Sequence, residues 1–277
     1  MRRLIGSLST AVLALGVSVT GDSVLAAAST DPALLAVIAG DHRSDANKAR
    51  DRYRHPAETL TFFGLRPDMK VVEVTPGAGW YTEILGPYLH KSGKYYAAGW
   101  DPDARAEFIQ QGVKAFADKL AARPDLYSGT VVTVLSPPDK TAIAPPGTAD
   151  MVLTFRNIHN WMGSGNADIV FAAMYKALKP GGVLGVVEHR AKTDVPQDPK
   201  AKSGYVREDY AIALAEKAGF VLEDRSEINA NPKDTKDYEK GVWTLPPTYA
   251  EGEKDKARYT AIGESERFTL RFRKPVK

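Results

Sequence analysis

Residues 70–85 read KVVEVTPGAGWYTEIL: an unbroken apolar run, a glycine turn and the start of a helix. A strand with no polar alternation is one covered on both faces, which is the condition of a parallel sheet. A glycine turn after such a strand lets backbone approach a ligand without a Cβ in the way, at the switch point beside strand one. The rest of the chain keeps the same rhythm. KYYAAGWD, TVVTVL, ADMVLTF, VLGVVEH, FVLEDRSE and RFTLRFRKP read as strands. Between them DARAEFIQQGVKAFADKLAA, ADIVFAAMYKAL and REDYAIALAEKAG read as helices, the first with Phe108, Val113, Phe116 and Leu120 near one face. The alternation predicts an α/β fold built on a doubly wound, mostly parallel sheet. From about Ile228 to Ser265 no helix is legible, so a C-terminal antiparallel strand replaces a further crossover, with Phe268, Leu270 and Phe272 alternating with polar residues.

Residues 27–69 read as an N-terminal helical cover and residues 70–277 as the α/β domain. Asp31-Pro32 is an N-cap followed by a first-turn proline. Pro56 opens a second helix, PAETLTFF, which Gly64 closes. Between them lies DHRSDANKARDRYRHP, whose Arg50, Arg52, Arg54 and His55 fit a solvated charged face or, alternatively, recognition of an acidic group on a substrate. Residues 228–265, with Trp243, Leu245 and Tyr249 to dock, resemble a lid more than a linker. At the other end, residues 1–26 place Arg2 and Arg3 before an apolar run from Leu4 to about Val19, then the small residues of SVLAAAST. That is the pattern of an export signal cleaved after Ala26 or Ala28, and it predicts a periplasmic or secreted protein. The run is shorter than the ~20 residues of a membrane span, so no membrane insertion is expected after its removal.

Charge and cysteine content exclude several classes. Removing residues 1–26, with Arg2, Arg3 and Asp22, takes 37 basic and 34 acidic residues to 35 and 33. That balance predicts no nucleic-acid partner. The chain has no cysteine, which excludes disulfides, zinc–thiolate sites and thiol nucleophiles.

Three ligand classes compete for the glycine turn. A phosphate-binding P-loop ends in Lys-Ser/Thr, which TPGAGWYTE lacks. The dinucleotide fingerprint needs a third small residue where Thr82 stands. The third class is S-adenosylmethionine, and EVTPGAGWYTEIL resembles motif I of class I methyltransferases. In that resemblance Glu73 is the motif's acid, Thr75 takes the place of its first glycine, and Gly77, Ala78 and Gly79 complete the cofactor turn. Asp101, at the end of the second strand, matches the acid that holds the ribose hydroxyls. ADMVLTF is similar to motif IV, ALKPGGVLGVVEHR to the shared helix, turn and fifth strand, and AEKAGFVLEDRSE to the start of the C-terminal hairpin. SPPDK stands where the family often has an acid near the adenine. The pattern HPAETLTFFGLRP, PGAGWYTEIL, FRNIHNW and VVEHR is similar to a group of exported bacterial proteins described only as predicted methyltransferases. Ribosomal-RNA adenine methylases are set aside, because FRNIHNW lacks their Asn-x-Pro-aromatic motif.

The resemblance implies a Rossmann-like methyltransferase fold, S-adenosylmethionine as cofactor and a small-molecule acceptor. Residues after strands four and five lie nearest the transferred group. His159 is the candidate general base, since imidazole titrates near neutrality. Asn157, Glu188 and His189 complete the candidate catalytic set, Asn157 also facing the cofactor. No recognised ligand spacing joins His159, Glu188 and His189, so no metal is expected. Trp161 fits packing better than a substrate platform, and Trp80 and Tyr81 fit a place under the cofactor. The alternative is an exported binding protein that keeps the pocket without catalysis.

Overall fold

The computed structural model describes residues 29–276, and the signal expected over residues 1–26 lies outside them. In chain order the elements are α1 (Pro32–Ala39), α2 (Asp45–Lys48), α3 (Asp51–Arg54), α4 (Pro56–Phe63), β1 (Lys70–Val74), α5 (Thr82–Leu89), β2 (Lys94–Gly99), α6 (Glu107–Ala122) and α7 (Pro124–Tyr127). They continue with β3 (Val131–Val134), β4 (Ala149–Phe155), α8 (Ile158–Ser164), α9 (Ala167–Ala177), β5 (Leu178–His189), α10 (Glu208–Lys217), β6 (Val221–Ser226), α11 (Lys256–Ile262) and β7 (Arg267–Arg273). A 3₁₀ turn, Gly241–Thr244, lies between β6 and α11.

The strands form one sheet in the order β3-β2-β1-β4-β5-β7-β6. Pairing is parallel from β3 through β5, and β7 runs antiparallel to both of its neighbours. The expected C-terminal antiparallel strand is therefore present, inserted between β5 and β6, with β6 at the edge.

Alternate residues of the central strands feed two cores. Val72, Val74, Val152, Leu184 and Val186 pack with residues of α8, α9 and α10. Val71, Ala97, Met151, Leu153 and Val187 pack on the opposite face with α1, α4 and α5. The N-terminal helices thus cover one face of the sheet. Asp31 caps α1 by accepting from the Ala33 amide at 2.8 Å, and Gly64 ends α4 at φ 77°. Leu60 and Phe63, one helical turn apart, are fully buried from α4. Truncating such a phenylalanine to alanine costs about 3–5 kcal/mol.

Two local expectations change. Phe108 is 66% exposed and meets Trp100 edge-on, so the buried face of α6 centres on Phe116. The segment before β7 does contain a helix, α11. Tyr259 is its one buried residue, so no apolar period marks it in the sequence. Among the described residues no helix is long and apolar enough to cross a membrane.

Candidate active site

The carboxyl ends of β1 and β2 frame a first cavity, lined by Thr75, Gly77, Gly99, Trp100 and, from α6, Val113 and Phe116. The turn after β1 is left-handed at Thr75 (φ 54°), Gly77 (58°) and Gly79 (79°). A side chain on Gly77 or Gly99 would meet nothing within 4 Å, so both leave open space beside the cavity. Gly79 serves a different purpose. A Cβ there would lie 3.2 Å from Lys119, Phe116 and Thr82, so its bareness lets the turn pack against α6. Ala78 is exposed on the outside of the turn.

Asp101 lies two residues past β2, half-buried. Its carboxylate accepts from Lys140 Nζ at 2.8 Å and from the Asp103 amide at 3.1 Å. These bonds, Lys140 first, hold its pKa below the usual carboxylate range. Lys140 belongs to SPPDK, so the segment that departs from the family pattern supplies the cation facing Asp101. Glu73 points away from the cavity. It is buried, and its Oε2 accepts from Tyr95 Oη at 2.5 Å and Thr82 Oγ1 at 3.3 Å. Burial raises its pKa to about 7 against the pull of those two hydrogen bonds. Glu73 braces the base of the turn.

A second cavity, of about 270 Å³, opens at the ends of β4 and β5 and reaches the residues before β7. His159, near the start of α8, borders it, with Nδ1 3.1 Å from Glu188 Oε1. Glu188 is fully buried and accepts from the backbone amides of Ile158 (2.6 Å) and His189 (2.8 Å). A carboxylate only accepts, so the proton of neutral His159 belongs on Nδ1. Nε2, with no hydrogen-bond partner among the described residues, keeps a free lone pair. This is the arrangement of an oriented general base. His189 also borders the cavity, its Nδ1 2.5 Å from Ser265 Oγ. Burial, then His159, Arg267, Arg156 and Arg54, push its imidazole well below the ordinary value, so it is neutral. Trp243 of the 3₁₀ turn meets the His159 ring edge-on at 6.0 Å.

Asn157 sits between the cavities. Its side-chain amide donates to the Val74 carbonyl at 3.0 Å and to Thr154 Oγ1 at 3.2 Å. It ties the end of β1 to β4, which makes it a positioning residue. Trp161 packs edge-on against Phe171, and Tyr81 stacks on Phe155.

The arginine-rich stretch is not a solvated face. Of Arg50, Arg52, Arg54 and His55, only Arg52 is exposed. Arg43 is buried in a two-point pair with Asp51, and Arg43 and Arg54 flank the Trp80 ring. Glu264 receives Arg50 at 2.6 Å, Arg267 at 2.9 Å and Arg54 at 3.2 Å. Burial opposes its charge, but Arg267, Arg54 and Arg50 together hold its pKa down to about 2.

Solved structures share this architecture. A SAM dependent methyltransferase from Aquifex aeolicus is 18% identical across 82% of this chain and 93% of its own, with a TM-score of 0.54. This is the methyltransferase fold. The [4+2]-cyclase SpnF is 17% identical over 86% of each chain, with a TM-score of 0.59. Phosphoethanolamine N-methyltransferase 2 of Haemonchus contortus, solved in complex with S-adenosyl-L-methionine, is 14% identical over 88% of this chain and 56% of its own, with a TM-score of 0.53. No family model and no curated protein matches the chain. The methyltransferase fold also carries a cyclase, so the fold alone does not set the chemistry.

On this methyltransferase fold the sequence-predicted residues divide. Thr75 and Gly77 line the first cavity, with Asp101 just beyond β2. His159, Glu188 and His189 meet at the second, their ligating atoms all within 4.8 Å of one another. The trio fits a cation poorly. Glu188 and the Nδ1 atoms of both histidines already have protein partners, and Arg54 and Arg156 add like charge alongside. Lys140, Glu264, Ser265 and Arg267 escaped the sequence reading. The available signal was a cluster of charge, ESER, directly before an alternating apolar strand.

Proposed function

We propose that the protein transfers a methyl group from S-adenosylmethionine to a small-molecule acceptor, with cofactor at the first cavity and acceptor at the second. The observation that carries this reading is the His159–Glu188 pair, which borders a cavity one strand over from the glycine turn. The first cavity, about 80 Å³ as it stands, has the lining that an adenosyl group calls for. Gly77 and Gly99 leave room for it, Trp100, Val113 and Phe116 give apolar walls, and Asp101, just past β2 and bound to Lys140, offers a carboxylate to ribose hydroxyls. The basic–apolar–small N-terminus supports export as the destination.

When bound, S-adenosylmethionine supplies an electrophilic methyl group, and its sulfur keeps the electron pair of the broken bond. The chain's own part is alignment and proton removal. Asn157 holds the two strand ends at a set spacing. His159 Nε2 takes the proton that the acceptor loses as its lone pair forms the new bond to carbon. Glu188 stabilises the imidazolium that results.

Calorimetry with S-adenosylhomocysteine, and its release in turnover, test the two halves separately. Asp101→Ala is expected to weaken binding about 10- to 100-fold, matching roughly 1.5–3 kcal/mol for a hydrogen bond to a charged group. His159→Asn is expected to leave binding within a few-fold and to lower turnover about 10²- to 10⁴-fold. Unchanged binding in Asp101→Ala, with no product from a panel of small thiols, amines and acids, would favour a binding protein without catalysis.

A further inference from the structure

The second cavity holds a surplus of positive charge that methyl transfer alone does not require. The guanidiniums of Arg50, Arg54 and Arg156 line it and that of Arg267 stands directly behind. Glu264 is the carboxylate in ion pairs with Arg50, Arg54 and Arg267, and Glu188 lies beside His159, engaged by its ring and by backbone amides. Glu73 lies within electrostatic reach of Arg156 but is held by Tyr95 and Thr82, and burial raises its pKa to about 7.

Arg156 is left over. Among the described residues its guanidinium has no hydrogen bond and no ion pair. It stands directly after β4, with φ at 61°, a left-handed backbone that a side chain with a Cβ rarely adopts. Its amide donates to the Val187 carbonyl at 2.7 Å, which fastens the turn to β5. Backbone strain maintained at an unpartnered arginine on a cavity wall is the mark of a ligand-holding side chain. Arg54 meets it from the N-terminal cover, only 4% exposed. Burial and then Arg156 push the Arg54 pKa well below its ordinary value, against the pull of Glu264.

We propose that the acceptor is an anion, a small molecule with a carboxylate or phosphate group that Arg156 and Arg54 grip while its nucleophilic atom faces His159. Guanidiniums suit such groups because their parallel N–H donors match two acceptor oxygens. A cavity of about 270 Å³ admits a molecule of metabolite size. Trp243, Pro246 and Pro247 wall it, and excluding water strengthens each charged contact inside. The orientation toward His159 rests on the methyl-transfer reading, whereas anion binding at Arg156 does not.

The test is calorimetric titration of the intact protein with inorganic phosphate and, separately, with malonate, each with and without saturating S-adenosylhomocysteine. At least one anion is expected to bind at roughly millimolar concentration or tighter. Arg156→Gln should weaken it by about 10-fold or more, with S-adenosylhomocysteine affinity unchanged as the control for folding. Arg52→Gln, on the exposed side of the run, should change neither. Phosphate preference over malonate would assign a phosphate-bearing acceptor, and the reverse a carboxylate. No binding of either anion, or equal losses in the Arg52 and Arg156 variants, would overturn the proposal. Binding of Mn²⁺ that His159→Asn abolishes would overturn it too. Anion binding that depends on Arg156, without turnover, leaves this site standing and removes methyl transfer. Turnover only on uncharged acceptors, with neither anion competing, does the opposite.

Discussion

Thr75 stands in a backbone conformation that favours glycine. At φ 54° it occupies the left-handed region, which costs a residue with a Cβ about 1–2 kcal/mol. Glu73 is a motif letter retained but turned inward to Tyr95 and Thr82. Its pKa is about 7 when folded, against an ordinary 4.5. The native state thus holds a proton across that interval that the unfolded chain releases. Stability from this group is complete below pH 4.5 and lost as pH rises through 7, to the extent of about 3 kcal/mol. Glu73→Gln abolishes the titration, so its stability relative to wild type should climb between about pH 5 and about pH 8 in urea melts. A constant difference across that range would mean the carboxyl is not desolvated. His159 and Glu188 were legible because strand ends in this architecture are where chemistry collects. Glu264 was not, because its meaning depends on arginines more than 200 positions away.

The central strands were legible from burial on both faces, whereas exposed β6 was legible from its place after a helix and α1 and α4 from their caps and first-turn prolines. β1, β4 and β5 read as apolar runs, α6 as a periodic stripe, and α4 as a helix between Pro56 and Gly64. The short helices α2 and α3 bury at most one residue each, and α11 buries Tyr259 alone, so none has a period to detect. The place of β7 was hidden for another reason. Its alternation announces a strand, but insertion between β5 and β6 is decided by contacts across the sheet. Arg267 and Thr269, polar letters in that alternation, are buried as deeply as Phe268 and Leu270. The lid reading can be tested on its own element. The 3₁₀ turn sets Trp243 against His159, and Lys233, Lys240 and Lys254 lie exposed in the same segment. Saturating S-adenosylhomocysteine with phosphate should slow tryptic cleavage at these lysines if the segment closes on ligand. Identical rates with and without them would make it a fixed wall.

At the scale of the molecule, one sheet carries two cavities, and residues 50–54 meet residues 264–267 at the second. If the N-terminus directs export, intact mass of protein recovered from a bacterial periplasm should correspond to a chain beginning at Ala27 or Ser29. Recovery of only the full-length mass, in the cytoplasm, would remove that expectation. Arg54 and Glu264 are 210 residues apart, and Arg50 and Glu264 are 214 apart. Translation proceeds from the amino end, so the arginines emerge first and wait for their carboxylate. At about 5–20 residues per second that wait is roughly 10–40 s. The residues of the glycine-turn cavity are all synthesised well before it ends. The arginine-walled cavity consequently gains its carboxylate only as the last strand of the sheet is being made, and a chain halted before Glu264 holds buried arginines with nothing to neutralise them.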